Sequence, residues 1–287
     1  MTKTYSVADF ETRSTIDIRK QGAFVYAAHP TTEPMCLAVT VADADPIVWA
    51  PEYFRKLINP DNIKHRIVSA KEIVSATLDA DYTVAQNTMF EYLIWNLIMV
   101  PRYKWPKLPL ERLHDTMAQL AYHALPMNLE QAGAALRLPI QKDMVGNAAM
   151  KKLCKPKKPV KAEREADPEW ASKIWWHEAP ATLEANINYC CTDVISERMV
   201  HKYLPDLPAR ERDVWLHTER KNLRGVHVDV ENVKAIVGVV KTQEAKQIKR
   251  FAELTNGAVS GPRSYVALKN WVNEEANLKL TSVDKDA

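Results

Sequence analysis

Short runs of β-branched and aromatic residues crowd the first third of the chain, and helical spacing takes over afterwards. Tyr5–Asp9 reads as a strand, Ala23–Ala28 and Met35–Val41 as two more around the break at His29-Pro30, and Pro46–Ala50 as a fourth after the turn Asp43-Ala44-Asp45. These spacings suit an antiparallel meander. Ala70–Leu78 is polar and helical or loop-like, and Tyr82–Gln86 is a buried strand. A helix then starts near Asn87, its expected N-cap, and carries Phe90, Leu93, Ile94, Leu97 and Ile98 at helical spacing. Leu113-His114-Asp115-Thr116 opens another helix through Ala121, and Asn128 caps Leu129–Leu136. A long helix is expected over Thr182–Lys202. Pro205 and Pro208 place a boundary near 205–210, followed by helices over Glu211–Asn222 and Val230–Thr255. The fold class is α/β: a mixed sheet flanked by helices, then a mostly helical C-terminal segment.

Composition narrows the class. Seven glycines against seventeen prolines argue for helices joined by proline-marked loops, not a disordered or collagen-like chain. The net charge is only +3, so any contact with nucleic acid needs a local basic patch. One charge run stands out: Lys151, Lys152, Lys155, Lys157, Lys158, Lys161 and Arg164, with Pro156 and Pro159 among them. It reads equally as a phosphate-holding loop or as a solvated one. Cys36, Cys154, Cys190 and Cys191 form no C-x-x-C pair, which points to reduced thiols in a cytoplasmic protein. Met1–Tyr5 is polar and unlike a signal peptide, and no apolar run reaches the roughly 18 residues of a membrane helix.

Five scattered residues carry the chemistry. Asp9 and Glu11 lie two apart on a strand, which puts both carboxylates on one face. Two such groups repel when ionised, and a dication removes that penalty. Tyr189 and Asp193 lie one helical turn apart. Glu91 follows Asn87 by the same spacing. Each pattern has a bland reading within this chain: Asp229-Val230-Glu231 repeats the first as turn and helix-start chemistry, and Tyr5 with Asp9 repeats the second. Asn87 with Glu91 is also what an N-cap and a first-turn acid look like.

Taken in order, Asp9-Phe10-Glu11-Thr12, Asn87-Thr88-Met89-Phe90-Glu91 and Tyr189-Cys190-Cys191-Thr192-Asp193 resemble the 3′–5′ proofreading exonuclease domain of bacteriophage family A DNA polymerases. That domain belongs to the DEDDy branch of the RNase H-like superfamily. Further likeness lies in Leu125-Pro126-Met127-Asn128-Leu129-Glu130, in Gln141-Lys142-Asp143 and in Lys155-Pro156-Lys157-Lys158. The resemblance implies an exonuclease domain over 1–207 and the helical start of a polymerase region over 208–287. The second motif ordinarily ends in aspartate. Here it is Glu91, which keeps the charge and can hold a metal directly or through water.

The resemblance implies two Mg²⁺ or Mn²⁺ ions about 3.5–4 Å apart. Asp9 would bridge them, Glu11 and Asp193 would hold one, Glu91 the other, and Tyr189 would align a water. Asn87, Phe10, Thr12, Lys155, Lys157 and Lys158 would meet the substrate, DNA with a single-stranded 3′ end or a primer–template. The product would be a nucleoside 5′-monophosphate. Asn188 stands where the histidine-type variant of the superfamily needs its base. His114-Asp115 is read as a helix start. The sequence has no R-x-x-x-K helix followed by Tyr-Gly and no late His-Asp-Glu, so polymerisation by this chain alone is not expected, and a separate polymerase chain is left open as a partner. The competing readings are an RNase D-like exoribonuclease and a non-catalytic nucleic-acid-binding module.

Overall fold

Six strands build one sheet: β1 (Tyr5–Arg13), β2 (Glu33–Val41), β3 (Ile47–Trp49), β4 (Arg66–Ile67), β5 (Tyr82–Ala85) and β6 (Leu113–Asp115). The structure, a computed structural model, describes residues 3–139 and 143–283. Gln141 and Lys142 of the motif likeness lie outside the described residues. The spatial order is β4-β3-β2-β1-β5-β6. β1 pairs antiparallel with β2 and parallel with β5, so the sheet is mixed and β1 sits where strand direction changes. Asp9 lies opposite Ala38 and Glu11 opposite Cys36, and the register shifts between Glu11 and Thr12. Such a bulge adds local twist at the end of a strand.

The helices are α1 (Ile18–Ala28), α2 (Glu52–Leu57), α3 (Ala70–Leu78), α4 (Met89–Ile94), α5 (Val100–Tyr103), α6 (Thr116–Tyr122), α7 (Leu129–Ala135), α8 (Met144–Leu153), α9 (Lys161–Ala166), α10 (Pro180–Tyr203), α11 (Ala209–Arg224), α12 (Val230–Leu254) and α13 (Tyr265–Glu275). Helices of the first part of the chain, α3, α4 and α10 among them, pack on the sheet, and β1 is buried on both of its faces. Ala8 and Phe10 point into a core with Tyr26, Trp95, Ile98 and Met99. Val7 points the other way, into a core shared with Leu183, Ile187, Cys190, Cys191 and Val194 of α10.

Two expectations change. Ala23–Ala28 is not a strand but the end of α1. α1 kinks at Gly22, φ 80°, and Asp17 caps the piece before the kink by accepting from the Arg19 amide; in the piece after it Ala23, Tyr26 and Ala27 meet the core at helical spacing while Phe24 and Val25 stay exposed. The β propensity of Phe-Val-Tyr yields to that period. The basic run is not a continuous loop either. Lys151 and Lys152 belong to the last turn of α8, which Asp143 caps, and α9 begins at Lys161.

The chain divides into two compact units, Met1–Leu223 and Arg224–Ala287. The first extends past the proline-marked position near 207 because Trp215, Leu216 and Leu223 of α11 pack on its core. The second holds α12 and α13. Asp229 caps α12 by accepting from the Asn232 amide, so Asp229-Val230-Glu231 is helix-start chemistry as expected.

Arg13 fastens the end of β1 to the segment leading into α10. It donates from Nε to Glu33 at 2.6 Å and from Nη1 to Glu178 at 2.7 Å. Its guanidinium also lies 4.5 Å from the Trp176 ring and 4.7 Å from the Phe54 ring. Removing one member of a fully buried pair costs roughly 3–5 kcal/mol. Glu33 and Glu178 keep 36% and 30% of their side-chain surface in water, which lowers the figure. Arg13→Ala is therefore expected to reduce the unfolding free energy by about 2–3 kcal/mol in urea denaturation.

Candidate functional site

α10 crosses directly over β1. Cys190 and Cys191 are fully buried there, and the Cys190 thiol donates to the Asp9 carbonyl at 3.2 Å. A larger side chain at either position would hold the helix off the strand. The crossing gathers Asp9, Glu11 and Asp193, whose carboxylate oxygens lie within 4.8 Å of one another. Tyr189 lies one turn before Asp193, close enough for the carboxylate to act on its phenol. The Asn188 side chain is committed elsewhere, accepting from the Lys64 amide and donating to the Asn62 carbonyl.

Glu91 enters from the first turn of α4 and is 4% exposed. The β5–α4 turn that delivers it is held by Asp115, which accepts from the Asn87 amide at 3.1 Å, the Thr88 hydroxyl at 3.4 Å and the Met117 amide at 2.8 Å. Asp115 is the α6 N-cap, as read from the sequence, and also the anchor of this turn. Asn87 is not the N-cap of α4. It takes a left-handed backbone, φ 63°, which asparagine tolerates, and Thr88 occupies the cap position. The Asn87 side chain is left exposed beside the site.

A fifth carboxylate was not legible in the motifs. Glu197 follows Asp193 by one more turn of α10, so Tyr189, Asp193 and Glu197 share one helix face. It is 2% exposed, and the charges acting on it are those of Asp9, Glu91 and Asp193. The repeat of four from Tyr189 was its sole sequence signal.

Burial raises every carboxyl in the group, and repulsion from the neighbouring acids adds to it in all but Asp9. Asp9 is pushed up to about 6 by desolvation, and Asp193 to about 8 by desolvation and then by Asp9. Glu11, Glu91 and Glu197 rise well above the usual carboxylate range for the same two reasons. The Tyr189 phenol is raised further by burial and by Asp193. Asp9 Oδ2, Glu91 Oε2 and Glu197 Oε2 are buried with no hydrogen-bond partner among the described residues. Unpaired buried oxygens of this kind call for a cation or a proton.

Other expected site residues fall elsewhere. Phe10, on the opposite face of β1, is buried edge-to-face against Trp95. Thr12 is buried and bonded through its hydroxyl to Tyr26 at 2.8 Å. The structure brings neither into the acidic group. Lys157 is half-buried, ion-paired with Glu163 and set against the Trp175 ring. Lys155 and Lys158 are exposed. They follow Cys154, whose carbonyl accepts from the Ser14 amide at 3.1 Å, so the basic segment is tied to the site end of β1.

No family model matches the sequence. The chain is 28% identical over 290 residues to a DNA polymerase of Bacillus phage SP02, an alignment that takes in 99% of this chain. The chain spans about 40% of the length of that relative. No helix among the described residues is long and apolar enough to cross a membrane.

α8 sets the position of Tyr189. Gly146 is buried against it, and a β-carbon at Gly146 would overlap the Tyr189 side chain. Glycine in a helix interior costs about 1 kcal/mol relative to alanine, so its presence marks the close approach. Gly146→Ala should nevertheless lower the unfolding free energy, by about 1–3 kcal/mol, because overpacking outweighs the propensity gain. Urea denaturation reads the sign.

The raised carboxyls also set a pH dependence. Asp193 binds its proton more tightly folded, at about 8, than unfolded, near 3.8. The resulting stabilisation is complete below the unfolded value and is lost as pH rises through the folded one. In EDTA, the stability of the wild type relative to Asp193→Asn is expected to fall between about pH 4 and pH 8. Added Mg²⁺ should flatten that fall, since a cation favours the charged forms. Thermal melts across the pH range measure both.

Proposed function

We propose that this chain carries a two-metal-ion 3′–5′ exonuclease that removes nucleotides from DNA 3′ ends during phage DNA replication. The observation that carries the reading is the convergence of Asp9, Glu11 and Asp193, with buried, unpaired oxygens on Asp9, Glu91 and Glu197 turned into one acidic group. The donor set fits hard divalent cations, which take oxygen ligands. The similarity to a phage DNA polymerase over nearly the whole chain supports DNA as the substrate. The DEDDy assignment of the three motifs supports the direction of cleavage.

Asp9, whose charge acts on each of the other four acids, would help hold both ions. Glu11 and Asp193 would hold one and Glu91 the other. When bound, the ions supply a deprotonated water as nucleophile and neutralise the charge on the leaving 3′ oxygen. Tyr189 keeps its proton at neutral pH, because burial and Asp193 raise it further from an already high value. It can therefore orient a water through its hydroxyl but not deprotonate it. Asp193, the carboxylate that acts most on the phenol, would accept from the Tyr189 hydroxyl and set the direction in which it points. Asn87, exposed in the turn that delivers Glu91, would meet the terminal nucleotide. Lys155 and Lys158, exposed in the basic segment, would meet backbone phosphates. Residues 1–207 would form the exonuclease, and 208–287 the helical start of a polymerase region.

Incubation of a 3′-labelled single-stranded DNA with the chain and Mg²⁺ should release nucleoside 5′-monophosphate. Asp9→Ala should reduce the rate by at least about 10²–10³-fold, the scale of losing a preorganised charge at a reacting centre. An RNA oligomer in parallel separates the exoribonuclease alternative. Equal inactivity of wild type and variant would sink the catalytic reading and leave a nucleic-acid-binding module.

A further inference from the structure

We propose that Glu197 is a ligand of the metal centre, acting with Glu91 to hold the second cation, so that five carboxylates rather than four serve the two ions. The inference rests on the two-ion reading above and deepens it.

Glu197 lies on the face of α10 that carries Tyr189 and Asp193, one turn beyond the latter. Its side chain is 2% exposed, and Oε2 has no hydrogen-bond partner among the described residues. The Gln86 backbone amide, just before the turn that delivers Glu91, faces the carboxylate and favours its charged form. The charges that act on it are Asp9, Glu91 and Asp193, all negative. An ionised carboxylate buried among like charges costs several kcal/mol unless a cation compensates it.

Glu91 is in the same position. It is 4% exposed, its own Oε2 is unpaired, and Asp9 is the charge that acts on it most. Two glutamates, one from α4 and one from α10, thus each carry a buried, unsatisfied oxygen, and the charge of Asp9 acts most on both. A cation held between such oxygens, directly or through a retained water, satisfies both. Glu91 is one methylene longer than the aspartate that the motif ordinarily carries, which moves its carboxylate out from α4. A second long acid, from α10, is the complement that such a displaced ligand needs. The alternative occupant is a proton shared between the two carboxyls, a structural role that involves no metal.

Titration of the full chain with Mn²⁺ at pH 7.5, following the loss of the free-ion signal by electron paramagnetic resonance, separates these. The wild type should bind two ions. Glu197→Gln, which keeps the shape and removes the charge, should retain one and weaken the other by about 10–100-fold, the range for perturbed metal sites. Glu91→Gln should weaken the same ion, and the double variant should do little more than either. Glu197→Asp, which keeps the charge but shortens the reach, covers the case in which Glu197→Gln loses the wild-type circular dichroism spectrum, and should also weaken one ion. Wild-type Mn²⁺ binding in a well-folded Glu197→Gln chain overturns the proposal and assigns the shared proton. In that outcome the wild type still binds two ions and degrades DNA, so the exonuclease reading stands. A wild type that binds no Mn²⁺ overturns both.

Discussion

The site depends on the close crossing of α10 over β1. Cys190 lies between the helix and the strand, small enough to let its thiol reach the Asp9 carbonyl. The crossing turns Asp193 and Glu197 toward a strand face that already carries Asp9 and Glu11. Without it the four acids would repel one another into solvent, since nothing in their local structure holds them together. Hydrophobic burial of Leu183, Ile187, Val194 and the two cysteines on the sheet overcomes that repulsion.

Two clasps make the crossing specific. Arg13 joins the bulged end of β1 to Glu178, two residues ahead of α10, and is itself boxed by Trp176 and Phe54. Asp115 ties the β5–α4 turn to the start of α6 and so sets the approach of Glu91. Gly146 lets α8 lie flat on Tyr189, which orients the phenol toward Asp193. Each support uses a residue outside the three motifs. The acidic group is therefore held from three directions by elements with no chemistry of their own.

Much of the fold was legible because the responsible signals are local. The β1 alternation, the strand Tyr82–Ala85, the Asn128, Asp115 and Asp229 caps and the long α10 all follow from short-range periodicity and capping. The misread segments share a cause. Ala23–Ala28 has strand-like residues whose buried positions follow a helical period, and Asn87 looks like a cap but sits in a left-handed turn that Asp115 imposes. In both, a tertiary contact outweighs a local preference. Phe10 and Thr12 lie beside two acids in sequence, yet strand alternation and the bulge send them to a core contact and to Tyr26.

By itself the sequence determined the strand face shared by Asp9 and Glu11, the helix face shared by Tyr189 and Asp193, and the order of the motifs, because these depend on fixed backbone periods. Only the tertiary structure decided that Glu197 joins them, that Lys157 is committed to Glu163 and Trp175, and that Glu91 meets Asp9 with an unpaired oxygen. The two glutamate outcomes turn on which helix meets β1 across 82 and 188 residues of chain, and the Lys157 contacts on how the segment after α8 folds back on itself, and no local pattern encodes either.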